Sequence, residues 1–535
     1  MREWWVGAEG AGLDAADPDA AGLDSAGLDS ADLDSADLDC AVLDWAASGA
    51  MALTGLPDGP PAATPAAALV LLRAVTSQLA RLTRETGHEV RADAAELISG
   101  RAALAGFTRG GLVSAGGSCL LLRAADGWCA VNLSRPDDLA AVPAVIGALG
   151  LDPDGLDPDG LDGPALAGAD GASSVEAARP ALAAAARVRP AADVAAAGQL
   201  LGVPAAALPA GALPPGDLPP GDLPSGDLGP GDLSPGNLGA GALDTGGRLW
   251  RTTRIAPPLP GARLAGAVVA DLSSMWAGPL CARLLGLAGA DVIKVESPGR
   301  PDGARSGNHE FFDWLHAGHR SLAVDFGSRE GRAALAALLA RADVVIEASR
   351  PRALAALGLA PGQLPHRDGQ VWLSISGYGL QAPDLVAFGD DAAVAGGLVG
   401  WANGLGERAT ALAGRAAGLP GPAAGADRVP VFCADAIADP LAGACGALAV
   451  ARSRAAGGGE RIDLSMRDVA AAFAATAVPG HGVHEFRPDG SVRCPRSDRE
   501  QAVLPPRRPA PSGRAAELGA DTATVLAWLA GRPAC

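Results

Sequence analysis

Two aspartates lie close together in the segment VPVFCADAIADPLAGACGALAVARSRAAGGGERIDLSM, and of all the side chains in this 535-residue chain they are the best placed for chemistry. Val429 to Cys433 reads as a strand, Asp435 and Asp439 follow, and the spacing predicts a helix from Pro440 to about Arg454. Pro440 suits a first helical position, which puts Asp439 at the N-cap, where free amides and the helix dipole favour an ionised carboxylate. A carboxylate fixed in that way is a candidate for chemistry. The same pattern also describes a plain helix cap, and these residues alone leave both readings open.

The elements that must position such a carboxylate begin at GAVVADLSSMWAGPLCARLLGLAGADVIKVESP, Gly266 to Pro298. Ala267 to Leu272 is a short β-branched run. Trp276-Ala277-Gly278-Pro279 breaks it, Leu280 to Leu287 carries apolar residues at helical spacing, and Gly289 stops the helix before Val292 to Glu296. This is one βαβ unit, and ligands of such sheets sit outside the carboxyl ends of the strands. A dinucleotide is not the expected ligand, because the first turn is SSMWAGP and lacks the glycines that let backbone amides approach a pyrophosphate. The alternation continues with strands at Arg320 to Phe326, Val344 to Glu347 and Val371 to Ser376. Helices are expected over Ser328 to Ala342 and from Ala353. The fold class is therefore α/β, a Rossmann-like open parallel sheet with right-handed crossovers, joined to a smaller α/β domain by low-complexity linkers.

A formal charge of -18 argues against a nucleic-acid or anionic-membrane partner, since binding phosphates over a surface needs a basic stripe. Lys294 is the sole lysine, so a local anion site must be built from arginine. The eight cysteines show no CxxC pair and no histidine at ligand spacing, so neither a structural zinc nor a disulfide framework is expected. The amino terminus lacks an apolar h-region and no membrane-length apolar run follows, so a soluble, cytoplasmic protein is expected.

Five-residue repeats occur in AGLDSAGLDSADLDSADLDC, in GLDPDGLDPDGLDGP and in PPGDLPPGDLPSGDLGPGDLSPGNL. They are too few to bury a solenoid core and read as extended linkers. The expected organisation is an acidic low-complexity segment over 1–44, a small α/β domain over 45–209, and a Pro/Gly/Asp linker over 210–258. A catalytic domain over 259–476 and an Arg/Pro-rich tail over 477–535 complete it.

Four motifs in order, DLSSMWAGPLCARLLGLAGADVIKVESPGRPDGAR, HRSLAVDFGSREGRAALAALLARADVVIEASRPRALAALGL, LSISGYG and GGGERIDLSM, resemble the class III CoA-transferases of CaiB/BaiF type. That family includes formyl-CoA and carnitine CoA-transferases and α-methylacyl-CoA racemase. In it a catalytic aspartate starts a helix and is followed four residues later by glycine, which Asp439 with Gly443 satisfies. Counting back without a gap from the glycine-rich turn gives Asp435 instead, so Asp435 is the second choice. The resemblance implies that the carboxylate attacks an acyl-CoA thioester, passes through an anhydride and an aspartyl-CoA thioester, and hands CoA to an acceptor carboxylic acid. Coenzyme A enters as a substrate thioester, no bound cofactor or metal is expected, and relatives form interlocked homodimers.

For the CoA pocket the family positions fall on Trp276, Ala277, Val324, Ser349, Arg350 and Pro351. Ser297 and Ala356 stand where formyl-CoA transferases use basic residues, so nearby Arg300, Arg305, Arg320, Arg350 or Arg352 are the candidate substitutes; each alone reads first as a solvated surface charge, and their clustering after strand ends raises the group above that. The racemase branch uses a histidine and an aspartate where this chain has Asp390 and Asp391, which ranks racemase below transferase. The family's small domain normally follows the catalytic half. Here MALTGLPDGPP and DGWCAVNLSRPDDLAAVPAVI, which resemble parts of it, precede that half, so a rearranged chain is expected. With the missing arginines, this keeps an impaired CoA-binding or assembly protein as a further alternative.

Overall fold

The computed structural model describes residues 41–62, 64, 67–152, 174–212, 249–349, 351–403, 428–476, 484–487, 490–495, 497–511 and 513–531. The repeats lie outside these residues apart from the start of the second, and so does Arg350.

In chain order, helices α1 (Ala41–Ala47), α2 (Ala67–Arg84) and α3 (Ala94–Ala105) come first. Strands β1 (Cys119–Arg123) and β2 (Trp128–Asn132) precede helices α4 (Pro136–Ala140), α5 (Val142–Ala148), α6 (Val175–Arg187) and α7 (Ala191–Leu200), and β3 (Ala205–Ala207) closes this group. β1, β2 and β3 form an antiparallel sheet. Its face is covered by α5, α6 and α7 through Leu122, Val131, Ile146, Leu182 and Val194.

The second half is built on a seven-stranded sheet. Its strands are β4 (Arg251–Arg254), β5 (Val268–Asp271), β6 (Asp291–Glu296), β7 (Arg320–Ala323), β8 (Val344–Glu347), β9 (Val371–Ser376) and β12 (Glu460–Ser465). The spatial order is β4-β12-β9-β8-β5-β6-β7, parallel throughout except for the antiparallel edge strand β4. The strand order turns round between β5 and β8, so the switch point, where ligands of open sheets bind, lies above the carboxyl ends of these two strands.

Both faces of this sheet are buried, as a parallel sheet requires. Val269, Val292, Ile346 and Leu373 face α8 (Ala277–Leu287), α13 (Ala438–Ala455) and α14 (Met466–Ala475). Their neighbours Ala270, Ile293, Val345 and Trp372 face α10 (Arg329–Arg341) and α15 (Thr522–Gly531). Helices α9 (His309–His316), α11 (Pro351–Ala356) and α12 (Gly389–Ala395) complete the set, and strands β10 (Gly400–Asn403) and β11 (Arg428–Val431) form a separate antiparallel ribbon. The expected βα alternation is present. The strand expected over Val429 to Cys433 is the ribbon strand β11 and lies outside the main sheet.

Two packing relations were not expected from the sequence. Helices α1 to α3 share one hydrophobic core with the second half, since Trp45, Leu69, Leu72 and Ile98 belong to the same cluster as Leu280 and Leu441. The Arg- and Pro-rich tail, which carries only weak local signals, forms three short strands, β13 (Glu485–Phe486), β14 (Ser491–Arg493) and β15 (Glu500–Ala502), besides α15. It ties the halves together: the Leu504 amide donates to Ala46 O at 2.9 Å, the Arg507 amide to Ser99 Oγ at 3.0 Å, and the Asp521 amide to Ser321 O at 3.0 Å.

Candidate active site

Helix α13 begins at Ala438, two residues earlier than expected. Asp439 is therefore a first-turn residue and not the N-cap, which is Ile437 without a side-chain bond. The cause lies in the preceding turn, where Ala434 and Ala436 take φ of 55° and 41°, left-handed backbone that a side chain rarely tolerates. This turn already presents Ala436 O to the Asp439 amide at 2.9 Å, so the helical path starts before the proline. Pro440 is still in the first turn, where no amide donor is needed. The Asp439 carboxylate instead receives the backbone amide of Ala277, at the start of α8.

Glycines let these backbones approach. A Cβ on Gly443 would stand 2.6 Å from Ala277 O, so a residue without a side chain is required where α13 crosses α8. This accounts physically for the glycine four residues after the aspartate. A Cβ on Gly389, at the start of α12, would lie 2.3 Å from both Ala436 O and Asp439 Oδ2. Ala277, Gly389 and Gly443 thus meet at the Asp439 carboxylate.

Asp435 and Asp439 differ in surroundings. Asp435 is fully buried, accepts from Arg101 Nη1 at 3.0 Å, and leaves its Oδ2 without a partner. Asp439 is partly exposed, so solvent reaches it while most of its surroundings are protein. Burial pushes the Asp439 carboxyl up to about 7; Arg101 opposes the shift, and Asp390 and Asp435 add to it. Burial also raises Asp435 against the opposing charge of Arg101.

Asp390 and Asp391 close the other side. Asp390 accepts the Ala436 amide at 3.0 Å, which holds the strained turn, and burial with the Asp435 charge pushes it up to about 6. Asp391 accepts from the Phe388 amide at 3.0 Å and from Asn132 Nδ2 at 2.9 Å, and burial pushes it up to about 7. The bland reading of an acidic helix cap therefore describes Asp391, whereas Asp390 braces the turn that carries Asp435. Among the described residues no group of three or more His, Cys, Asp or Glu side chains has the arrangement of a metal site.

The residues expected at a CoA pocket divide into two groups. Trp276 and Ala277 follow β5, while Ser349 and Pro351 follow β8, so all four flank the switch point; Ser349 is exposed and Trp276 buried. Val324 is buried just after β7. Arg300 is exposed in the loop after β6. Arg305 is engaged with Glu296 at 2.6 Å and stacks on Phe312 at 4.4 Å. Arg320 stands at the amino end of β7, the edge opposite the switch point, and pairs with Asp291.

Sequence reasoning missed Arg101. Its guanidinium lies 5.2 Å from the Trp276 ring centroid, 5.4 Å from Phe107 and 5.7 Å from Phe311, and it reaches Asp435 across 334 residues of chain. No local signal marks it, since GRAALAGF reads as any helix end carrying one surface charge. It also missed a buried network in which Lys294 Nζ donates to Asp302 Oδ2 at 2.9 Å and to Ser273 O, with Asp271 at 3.8 Å. That network fixes the turn before Trp276, because Asp302 Oδ1 also accepts the Met275 amide at 3.1 Å.

An α/β fold with a carboxylate at the crossing of two helices beside the switch point is the setting in which the comparisons fall. Residues 264–506 match the model of CoA-transferase family III, so the recognition resting on the motifs holds for that stretch. The chain is 28% identical over 293 residues to succinyl-CoA–D-citramalate CoA-transferase of Chloroflexus aurantiacus, covering 51% of this chain and 65% of that protein. It is 36% identical over 122 residues to succinyl-CoA:mesaconate CoA-transferase of Haloarcula hispanica, covering 21% and 31%. A solved CaiB/BaiF family protein from Brucella suis is 28% identical with a TM-score of 0.31, over 40% of this chain and 55% of that one. The matches thus span less than two thirds of these relatives' own lengths.

Proposed function

We propose that this protein is an acyl-CoA:carboxylate CoA-transferase whose nucleophile is Asp439, with Asp435 the second choice. The observation that carries this reading is the contrast between the two side chains. Asp439 is reachable at the α8–α13 crossing and has the Ala277 amide directed at it, whereas Asp435 is sealed and committed to Arg101.

An Asp439 oxygen adds to the thioester carbonyl, the C–S bond breaks, and CoA leaves as the thiolate with the bonding pair, giving a mixed anhydride. The thiolate then attacks the aspartyl carbonyl, releasing the donor carboxylate and forming an aspartyl-CoA thioester. The acceptor carboxylate attacks that thioester, forming a second anhydride and freeing CoA thiolate. Attack of the thiolate on the acceptor's acyl carbon yields the new CoA thioester and restores Asp439. The Ala277 amide is a candidate donor to the charge that develops at each stage. The route consumes no cofactor beyond CoA itself.

Trp276, Ala277, Ser349 and Pro351 at the switch point are the proposed CoA contacts, and Arg350 and Val324 are proposed with them on the family positions alone. Arg300 supplies charge for the CoA phosphates. Arg305 and Arg320 contribute only by exchanging their carboxylate partners. We further propose a cytoplasmic homodimer in which 259–476 is the catalytic domain and 45–209 stands in for the family's small domain. In that organisation 1–44 and 210–258 are low-complexity segments and 477–535 is a tail. The acceptor is a carboxylic acid, and the dicarboxylates in the relatives' names, D-citramalate and mesaconate, belong in the first panel.

The engagement of Arg305 and Arg320 favours one rival, a CoA-binding protein without acyl exchange. A racemase would need a second acid–base group; Asp390 and Asp391, with no histidine beside them in sequence, offer only carboxylates. Intact-mass spectrometry after incubation with acyl-CoA thioesters and hydroxylamine tests the set, using wild type, Asp439→Asn and Asp435→Asn. A hydroxamate lost only in Asp439→Asn is the expected result. Loss only in Asp435→Asn transfers the role to that residue, and CoA binding with no adduct favours the binder. Solvent deuterium at the α-carbon without an acceptor acid marks the racemase.

A further inference from the structure

Helix α12 meets the candidate nucleophile at Gly389, its first residue, which leaves no room for a side chain against Asp439 Oδ2. The side chain two positions on fixes this approach. Asp391 Oδ1 accepts the Phe388 amide at 3.0 Å and, from 259 residues away on β2, Asn132 Nδ2 at 2.9 Å. Asn132 lies outside the stretch that matches the family model, so the amino-terminal half supplies one side of this joint.

The joint is short of one hydrogen. Asp391 and Asn132 are both fully buried, and the second oxygen of each, Asp391 Oδ2 and Asn132 Oδ1, has no partner among the described residues. Both oxygens are acceptors while Asp391 is ionised, so neither can satisfy the other. Turning the Asn132 amide over sets its oxygen against Asp391 Oδ1 and leaves the same shortage. The surroundings offer no countercharge. Asp390 on the same helix, Cys119 on β1 and Tyr378 after β9 face Asp391, β3 brings only alanines, and Asp435 and Asp439 at the head of α13 face Asp390. Two arginines stand nearby, Arg135 on the Phe388 ring and Arg467 on the Tyr378 ring, and each is paired with another carboxylate, Asp138 and Asp468. A buried carboxyl with no cation and an orphaned oxygen is in the setting that favours the neutral acid. Burial pushes it up to about 7 against the hydrogen bonds from Asn132 and Phe388, and Asp390 adds to the rise.

We propose that Asp391 is a positioning residue for Asp439 that works as a neutral acid: its Oδ2 proton closes a two-bond acid–amide pair with Asn132, and the pair pins Phe388 and Gly389 against Asp439. Loss of that proton sets a charged oxygen against a carbonyl oxygen, so the pair opens and α12 loses its hold on β2. The pair itself requires no reaction, whereas its effect on labelling of Asp439 rests on the transferase reading.

The experiment compares full-length wild type, Asp391→Asn and Asn132→Leu. Asparagine at 391 supplies the missing hydrogen from its own amide and has nothing to titrate; leucine at 132 keeps the volume and removes the partner. The first readout is the infrared C=O stretch of protonated carboxylic acids at pH 6, where solvated carboxylates are ionised. One band is expected to vanish in Asp391→Asn and to move to higher frequency in Asn132→Leu. Spectra in which neither change occurs overturn the proposal, and the leucine variant decides alone if Asp391→Asn does not fold.

The second readout is urea unfolding against pH. A folded-state value raised above the unfolded one contributes stability that is complete below the unfolded value and is lost as pH rises through the folded one. The urea midpoint of Asp391→Asn is therefore expected to gain on the wild type from pH 5 to about pH 7 and to keep that gain at higher pH. A difference that is constant across the series overturns the neutral acid. The third readout is hydroxamate formation at Asp439 at pH 6, expected to fall roughly tenfold in Asn132→Leu and to stay within about twofold of the wild type in Asp391→Asn. Equal rates in all three overturn the positioning role. If no thioester labels the wild type, the transferase reading fails, and the infrared and urea results still decide for or against the pair.

Discussion

Asp439→Asn is expected to stabilise the protein relative to the wild type by an amount that grows as pH rises from 5 to 8. In the unfolded chain the aspartate is ionised throughout this window, with an ordinary value near 3.8, whereas in the fold its carboxyl is pushed up to about 7. A folded-state value raised above the unfolded one contributes stability that is complete below the unfolded value and is lost as pH rises through the folded one. The wild type therefore sheds about 1.4 kcal/mol per unit between pH 5 and pH 7, about 2.7 kcal/mol in all. Asp390 and Asp435 share the same proton balance and Asp439 is partly exposed, which reduces the expected gap to about 2 kcal/mol. Asparagine has nothing to titrate, so urea unfolding of both proteins at pH 5, 6, 7 and 8 isolates the effect by difference. A gap that stays constant across the series would refute the reasoning, because Asp439 would then titrate as an ordinary solvated acid.

Other perturbations have equally definite outcomes. His319 is buried and neutral, held down to about 3 by burial first and then by Lys294 and Arg283, and His316 is shifted in the same direction. The unfolded chain takes up protons below about pH 6.5 and the fold does not, so this stability is lost on acidification. His319→Gln should lose about 2 kcal/mol less than the wild type between pH 7.5 and 5, and parallel decline of the two proteins would contradict the assignment. Lys294→Met leaves Asp302 and Asp271 buried without their cation and should cost about 3 to 5 kcal/mol, read as a fall in the urea midpoint. Gly443→Ala places a methyl group against Ala277 O and should cost about 1 to 3 kcal/mol, with a larger loss of any Asp439-dependent labelling than of folding.

The α/β alternation of the second half was legible because buried parallel strands are short β-branched runs separated by helices with periodic apolar faces. Val344–Glu347 and Val371–Ser376 have the bounds that their residues announce. Glycine and proline marked the ends of α8 for the same local reason. The helix bearing Asp439 was legible, but its first residue was not. Pro440 suggests a start that the left-handed turn at Ala434 and Ala436 advances, and that turn is held by Asp390 from another helix.

The sequence by itself determined the strand and helix alternation from β5 to β9, the acid-rich charge balance and the pair of aspartates ahead of a helix, since each depends on neighbours within a few residues. Only the tertiary structure decided which aspartate is sealed and which is reachable. It alone sent Arg320 to the amino edge of the sheet and brought Arg101 to Asp435. These outcomes depend on burial and on charges meeting across hundreds of residues, and no local pattern records the distance between groups that only the shared core brings together.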